Sequence, residues 1–209
     1  MVDIDKDQLM FLRVETTGFP KKNGYDYYDY TDTEKFNSSR IVQLCWSLYD
    51  KKGNELKVRN YIIKPDGYEI NNSDIHTITT EIAESQGNPI DDVIKIFRKD
   101  IKYVKYIIGH NLQFDIIVLK SELHRYDHNK VIEKIDSKKY ICIGEGTKNL
   151  LKLQINKDPK KPVYKMPKFV EIYKYCFQKE IDKVHNTEYL EKLSEIFYHL
   201  KNNKSNNIN

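Results

Sequence analysis

The chain has 209 residues, a mass of 24.9 kDa and a formal net charge of +4. This length suits one domain with a substantial core. The mean hydropathy is −0.70, and no run approaches the ~18–20 apolar residues of a membrane helix, which excludes a membrane-spanning protein. The mildly basic balance permits a polyanionic partner without requiring one, because a lysine-rich surface gives the same charge.

The first half of the chain predicts strands before helices. QLMFLRV (residues 8–14) is typical of a buried strand. Residues 19–40 form a polar, tyrosine-rich segment longer than the ~12–15 residues usual for loops, so it is either a functional loop over a site or a surface insertion. RIVQLCWSLYD (40–50) and ELKVRNYIIKP (55–65) predict a hairpin that turns at KKGN. DIHTITTEIAESQG (74–87) predicts a short helix.

The second half alternates between helices and strands. PIDDVIKIFRKDI (89–101) predicts an amphipathic helix, and YIIGH (106–110) a short buried strand. Asn111 is expected to cap the next helix, in which apolar residues follow at core spacing. The remaining predicted elements are a strand at YICI (140–143) and helices at MPKFVEIYKYCF (166–177) and 186–200.

This order of elements predicts an α/β domain with a mixed sheet, antiparallel in its hairpin strands and parallel elsewhere, flanked by helices. We expect the domain to span residues 1–200 and the polar tail 201–209 to be disordered.

The sequence also suggests where the protein works. The N-terminal MVDIDKDQLM lacks the basic and apolar segments of a signal peptide. Cys45, Cys142 and Cys176 are widely spaced and match no zinc pattern, which favours reduced thiols. We therefore expect an intracellular protein, of the cytoplasm or the nucleus, with no membrane partner.

Four positions could carry chemistry. Side chains alternate along a strand, so residues 13 and 15 share a face, where an acid-x-acid pair could hold divalent ions; the residues present are Arg13 and Glu15. Asp115 lies in the first turn of its helix, where the helix dipole favours a carboxylate. His185 precedes the last helix and suits a general base. Taken singly, a helix-start aspartate or a histidine before a helix is more often structural.

The order of several dispersed motifs adds to these weak signals. ETTG after a strand is followed by IVQLCWSLYD, YIIKPDGYEI, IHTITTE, GHNLQFD and a late histidine. This series resembles the DEDDh 3'-5' exonucleases, which have an RNase H-like fold, over residues 8–200. The resemblance implies cleavage from a 3' end, with four acids holding two magnesium or manganese ions and a histidine deprotonating the attacking water.

The resemblance assigns roles to particular residues. Glu15 stands at the second acid position, Asp115 at the third and His185 at the base. Arg13 stands at the first acid position and Leu190 at the fourth. The resemblance also implies substrate-binding residues at Thr16, Thr17, His76 and Asn111, and Thr77 stands where the family usually has glycine.

The two substitutions suggest a degenerate metal site. An arginine side chain is not deprotonated in a protein and would repel the ions that the first acid binds. Leu190 has no donor atom, and its stripe with Leu193, Phe197 and Leu200 is typical of core. Glu188 and Glu191 point about 160° and 100° away from the direction of Leu190.

We therefore expect no bound metal, with Glu15 and Asp115 as the ligands if there is one, and magnesium or manganese if the site is active. Our hypothesis is that the guanidinium of Arg13 replaces the metals and bridges the two carboxylates, which is tolerated only where good hydrogen bonding offsets their desolvation.

Three functions remain open. The favoured one is an exonuclease-fold protein that has lost catalysis and binds single-stranded DNA or RNA, or a protein partner of a replication or RNA-processing complex. The alternatives are an active exonuclease with an altered site and a purely structural module. Lys21, Lys22 and the lysines of residues 157–165 could meet phosphates beside stacking tyrosines, or could form a solvated surface.

Overall fold

The computed structural model describes residues 7–156, 158, 160–182 and 184–205. The strands are β1 (Gln8–Thr16), β2 (Lys22–Asn23), β3 (Asp26–Tyr27), β4 (Ile41–Tyr49), β5 (Glu55–Ile62), β6 (Val104–Gly109) and β7 (Lys139–Cys142). The helices are α1 (Ser73–His76), α2 (Thr80–Gln86), α3 (Ile90–Asp100), α4 (Leu112–Arg125), α5 (Asn129–Asp136), α6 (Ile143–Leu151), α7 (Phe169–Phe177) and α8 (Asn186–Ser205). Single 3-10 turns lie at Thr33–Phe36 and Ile101–Tyr103.

The sheet combines both pairing modes. Its strand order is β5-β4-β1-β6-β7, with β1 antiparallel to β4, β4 antiparallel to β5, and β6 parallel to both β1 and β7. The chain reaches the parallel strands through helical crossovers, as parallel pairing requires. The predicted mixed α/β sheet flanked by helices is confirmed.

Alternation along β1 divides the core into two layers. Met10, Leu12 and Val14 belong to the cluster that α3, α4 and α5 cover. Leu9 and Phe11 belong to the cluster that α7 and α8 cover. Because side chains two residues apart share a face, Arg13 and Glu15 project on the same side as α7 and α8.

Several elements differ from the prediction. The helix expected over 74–87 is split into α1 and α2, because Thr77 adopts a left-handed conformation (φ 65°) that ends α1. Residues 19–40, here called the tyrosine-rich segment, contain the small β2–β3 hairpin. Helices α5 and α6 were not predicted. Helix α8 continues to Ser205, into the tail expected to be disordered, and residues 206–209 lie outside the described part.

Other findings concern the thiols and the membrane. Cys45, Cys142 and Cys176 are free, and Cys45 and Cys176 are buried, as the reduced-thiol interpretation predicts. In the described part of the chain, no helix has the length and apolar character to cross a bilayer.

Candidate functional site

A cleft of about 260 Å³ lies where β1 ends, beside the first turn of α4. Its lining divides into charged, polar and apolar groups. The charged residues are Arg13, Glu15 and Asp115; the polar ones are Thr16, Asn72, His110 and Asn111; the apolar side chains are Val14, Phe19, Ile75, Phe114 and Met166. The cleft therefore gathers three of the predicted catalytic positions and two of the predicted substrate-binding residues.

Arg13 is fixed by two neighbours. Its Nε and Nη2 atoms both lie 2.7 Å from Glu15 Oε1. The guanidinium carbon lies 4.0 Å from the centroid of the Tyr189 ring, at cation–π distance. Burial lowers the pKa of Arg13, but the Tyr189 side chain and the carboxylates of Glu15 and Asp115 together raise it above its ordinary value, so the guanidinium stays protonated. A permanent cation thus occupies the position at which the sequence resemblance implies the first acid.

Asp115 is buried, at 6% exposure, and its Oδ1 accepts a 3.3 Å hydrogen bond from the backbone N–H of Val14. Burial raises the pKa of Asp115 to about 7, although the Arg13 charge and the Val14 bond act in the opposite direction. No ion pair joins Asp115 to Arg13 among the described residues. The bridging hypothesis is therefore corrected: Arg13 pairs with Glu15 alone and acts on Asp115 only through its charge.

Near Arg13, the start of α8 supplies an aromatic ring and an apolar side chain. Leu190 is 1% exposed and packs in the cluster with Phe11 and Leu193, as the core interpretation predicts. Tyr189 stacks on Phe169 with ring centroids 4.2 Å apart, which fixes the ring against which Arg13 lies. Glu188 and Glu191 are both exposed, and neither lines the cleft.

His185 is not brought to the cleft. It is absent from the described cleft lining, and its Nδ1 is buried without a hydrogen-bond partner among the described residues. Its carbonyl accepts a 3.3 Å bond from the N–H of Tyr189. Within the described part of the chain, no hydrogen bond or ion pair joins the His185 side chain to Glu15 or Asp115.

Among the predicted substrate-binding residues, Thr16 and Thr17 have side-chain hydroxyls that already form hydrogen bonds to nearby backbone groups. Thr16 lines the cleft, but its hydroxyl donates to the Gly18 carbonyl at 2.7 Å. The Thr17 hydroxyl accepts from the Arg40 N–H at 2.9 Å and so closes the base of the tyrosine-rich segment.

The side chains of His76 and Asn111 differ in their hydrogen bonding. His76 is 1% exposed; its Nδ1 accepts from the Ile78 N–H, and its Nε2 donates to Asn72 Oδ1 at 3.2 Å, so it positions a cleft residue without reaching the cleft. Asn111 is the N-cap residue of α4, as predicted, and lines the cleft, but its side chain makes no capping hydrogen bond. Its amide makes no hydrogen bond within the described part of the chain and is available to a ligand.

Sequence reasoning missed several site residues. Tyr189 directly precedes Leu190, yet nothing in the sequence indicates that it contacts Arg13. His110 lies beside the predicted Asn111, and its Nε2 donates to the Pro167 carbonyl at 2.7 Å. Burial lowers the pKa of His110 more than the Pro167 carbonyl raises it, so the ring stays neutral near pH 7. The Gly-His-Asn sequence after a buried strand could have indicated His110.

These donors do not fit a pair of divalent ions. Among the described residues, no three His, Cys, Asp or Glu side chains come close enough to hold a metal. The Glu15 carboxylate already accepts from Arg13, and Asp115 is partly protonated near neutral pH. A divalent ion would have to displace the Arg13 cation.

The sheet order and the position of the cleft define an exonuclease-like fold of the RNase H type. The solved structures with this fold include E. coli Exonuclease I in complex with a dA16 oligonucleotide (TM-score 0.66, 14% identity, 94% of this chain and 41% of that chain). Exonuclease I from Methylocaldum szegediense matches with a TM-score of 0.64, 14% identity and coverages of 94% and 40%. An ExoI/SSB-Ct complex matches with a TM-score of 0.64 and 14% identity over 94% of this chain and 41% of that one.

The chain thus spans about two fifths of the length of these neighbours. At 14% identity the likeness concerns the fold alone. No family model and no curated protein matches the sequence.

Proposed function

We propose that this chain is an exonuclease-fold protein that binds single-stranded nucleic acid and does not hydrolyse it. One observation carries the loss of hydrolysis: Arg13, at the first acid position, is paired with Glu15 and stacked on Tyr189. Two-metal hydrolysis needs cations held by carboxylates at this place. A fixed guanidinium repels such ions, and its ion pair with Glu15 engages one of the two remaining acids, Glu15 and Asp115.

The cleft still offers surfaces for a nucleotide. Phe19 is 76% exposed at the cleft, and its ring centroid lies 5.7 Å from that of Phe114. Ile75 is 43% exposed and also lines the cleft. Aromatic rings stack on unpaired bases with little sequence preference, and the amide of Asn111 can bond to a base or a phosphate. The dA16 oligonucleotide in the complex with E. coli Exonuclease I supports this class of ligand.

A protein partner is the second candidate. The observation in its favour is the ExoI/SSB-Ct complex, whose fold this chain shares. Strand binding by the purified protein distinguishes the two candidates, because it needs no other protein.

Two assays with 5'-labelled single-stranded DNA and RNA test the proposal. Incubation with millimolar Mg²⁺ or Mn²⁺ should leave the strands intact. Fluorescence anisotropy should show binding that weakens as salt rises, since phosphate contacts release counterions. Phe19→Ala should weaken binding about tenfold if the ring stacks on a base. Tyr25→Ala is the matched control, because Tyr25 is a 98% exposed ring of the same segment that does not line the cleft.

Two results would reject the proposal. Metal-dependent trimming that disappears in Glu15→Gln would identify an active exonuclease with an altered site. Absence of strand binding even at low salt would reject the binding function and favour the protein partner or a structural module.

A further inference from the structure

A second cavity, of about 400 Å³, lies between the tyrosine-rich segment, α4 and β7. Its polar and aromatic lining consists of Asp26, Tyr27, Gln113, Lys120, Asp136 and Tyr140. Apolar side chains of α4, among them Leu112 and Ile116, complete it. The volume falls within the ~300–1,000 Å³ usual for small-ligand pockets.

This cavity adjoins the cleft across the first turns of α4. Asn111, Phe114 and Asp115 line the cleft, whereas Leu112 and Gln113 line the second cavity. The rings of Phe114 and Tyr27 have centroids 6.5 Å apart. A strand of two or more nucleotides could therefore place one nucleotide in the cleft and the next in the second cavity by passing over the Phe114–Tyr27 ring contact.

Tyr140 provides a fixed stacking surface. Its residue exposure is 45%, while its hydroxyl donates a 2.9 Å hydrogen bond to the Ile135 carbonyl. This bond anchors the ring at its far end and leaves part of the side chain open to the cavity. A ring that is already fixed loses little conformational freedom when a base stacks on it.

The polar groups match the other parts of a nucleotide. The exposed amide of Gln113 makes no hydrogen bond to any described residue and can pair with the edge of a base. Lys120 Nζ lies 2.9 Å from Asp136 Oδ1 and 4.2 Å from the Tyr30 ring centroid, so Asp136, one of the two acids that line the cavity, is paired with a cation. Lys22 Nζ lies 4.7 Å from the centroid of the Tyr27 ring, which lines the cavity, and can form an ion pair with a phosphate.

We propose that this cavity is a second nucleotide subsite, which takes the unpaired base next to the one in the cleft. The inference rests on the proposed strand binding and extends it, because it assigns the tyrosine-rich segment a role in determining the minimum length of the ligand. The ligand is then a single strand of at least two nucleotides, and a mononucleotide fills only the cleft.

The test measures how affinity depends on ligand length. Mono-, di- and tetranucleotides compete with a labelled single strand for the wild-type protein, for Tyr140→Leu and for Tyr140→Phe. We expect the dinucleotide to bind wild type about tenfold more tightly than the mononucleotide, in the range of one base–aromatic stack. Tyr140→Leu should lose this gain while mononucleotide affinity stays unchanged, and Tyr140→Phe should keep it.

Two further variants serve as checks. Tyr175→Leu is the matched control, because Tyr175 has the same 45% exposure and lines neither space. Gln113→Ala alters an exposed side chain and should reduce dinucleotide affinity several-fold even if Tyr140→Leu folds poorly. Equal affinity of wild type for mono- and dinucleotides, or unchanged dinucleotide binding by Tyr140→Leu or Gln113→Ala, would overturn the second subsite alone. Wild-type protein that binds no oligonucleotide would overturn both proposals.

Discussion

Arg13 and Glu15 form a two-nitrogen contact on a single oxygen, with Nε and Nη2 both 2.7 Å from Oε1. The pair follows from strand geometry, because residues two apart on β1 project on the same face. Tyr189, from the other end of the chain, then holds the flat side of the guanidinium. The positive charge of Arg13 would be unfavourable alone in this cleft. Glu15 compensates it at the edge of the guanidinium, and the Tyr189 ring stabilises it on one face.

The Arg13–Glu15 pair should contribute measurably to stability. Arg13→Ala leaves the Glu15 carboxylate, whose side chain is 9% exposed, without its partner. Loss of one member of a fully buried pair costs roughly 3–5 kcal/mol, and because the Arg13 side chain is 27% exposed we expect about 2 kcal/mol. Urea unfolding measures the change. Arg98→Ala, at an exposed helical arginine, is the control and should change stability little. Equal stabilities of the two variants would contradict this account.

Asp115 should make stability depend on pH. The folded protein holds the Asp115 proton up to a pKa of about 7, whereas an unfolded aspartate releases it near 3.8. The resulting stabilisation is fully present below about pH 4 and is lost as the pH rises through 7, at about 1.4 kcal/mol per pKa unit. The free energy of unfolding of wild type minus that of Asp115→Asn should therefore fall by a few kcal/mol between pH 4 and pH 8. Urea unfolding at four pH values measures it, and parallel curves would contradict the raised pKa.

Restoring two acids should restore a metal site. In Arg13→Asp with Leu190→Asp the cation is removed and a carboxylate is added to the first turn of α8. We expect a lower melting temperature without metal, because Leu190 is core, and a saturable rise with millimolar Mn²⁺. Wild type and the two single variants should show no such rise, since each lacks a ligand. Trimming of 3' ends should be slow, because a ~1 Å misplacement can cost ~100-fold.

The controls for this experiment are internal. Adding Glu15→Gln to the double variant should abolish the Mn²⁺ response. A saturable Mn²⁺ response of the unmodified protein, removed by Glu15→Gln, would instead mean that the guanidinium does not block the metal site.

Thr77 should be strained. A β-branched residue at φ 65° is uncommon, and such conformations cost roughly 1–2 kcal/mol relative to the right-handed region. Thr77→Gly should therefore stabilise the fold by up to about 1 kcal/mol, with the rest offset by the greater freedom of glycine when unfolded. Thr77→Ala keeps a Cβ and should gain little. Thermal unfolding compares the two, and a Gly variant no more stable than the Ala variant would show that the backbone there is relaxed.

The sheet was predictable because its signals are local. Buried runs such as residues 8–14 and the alternation of helices with strands follow from burial, which leaves a pattern in the sequence. The break of the 74–87 helix was not predictable, because threonine does not indicate a left-handed conformation. Helices α5 and α6 were also missed by the prediction.

The sequence predicted which residues come together at the site, but not the contacts that their side chains make. The resemblance placed Arg13, Glu15 and Asp115 together, and the structure gathers them in one cleft. The pairing of Arg13 with Glu15 alone, its contact with Tyr189 and the absence of His185 from the cleft lining depend on how α8 packs. No local pattern encodes that packing, because the residues meet only after the two layers have formed.

The two ends of the tyrosine-rich segment are tied together beside the sheet. Thr17 N–H donates to the Arg40 carbonyl at 2.9 Å, and the Arg40 guanidinium forms a buried ion pair with Glu122 at 2.7 Å. The two ends of the segment therefore meet beside the sheet, and the entropy of closing such a loop grows only slowly with its length. Phe36 ties the last part of this loop to the core, whereas the exposed β2–β3 hairpin can change in length without rebuilding the strands beneath it. The part of the loop most open to change is therefore also the part that frames the second cavity.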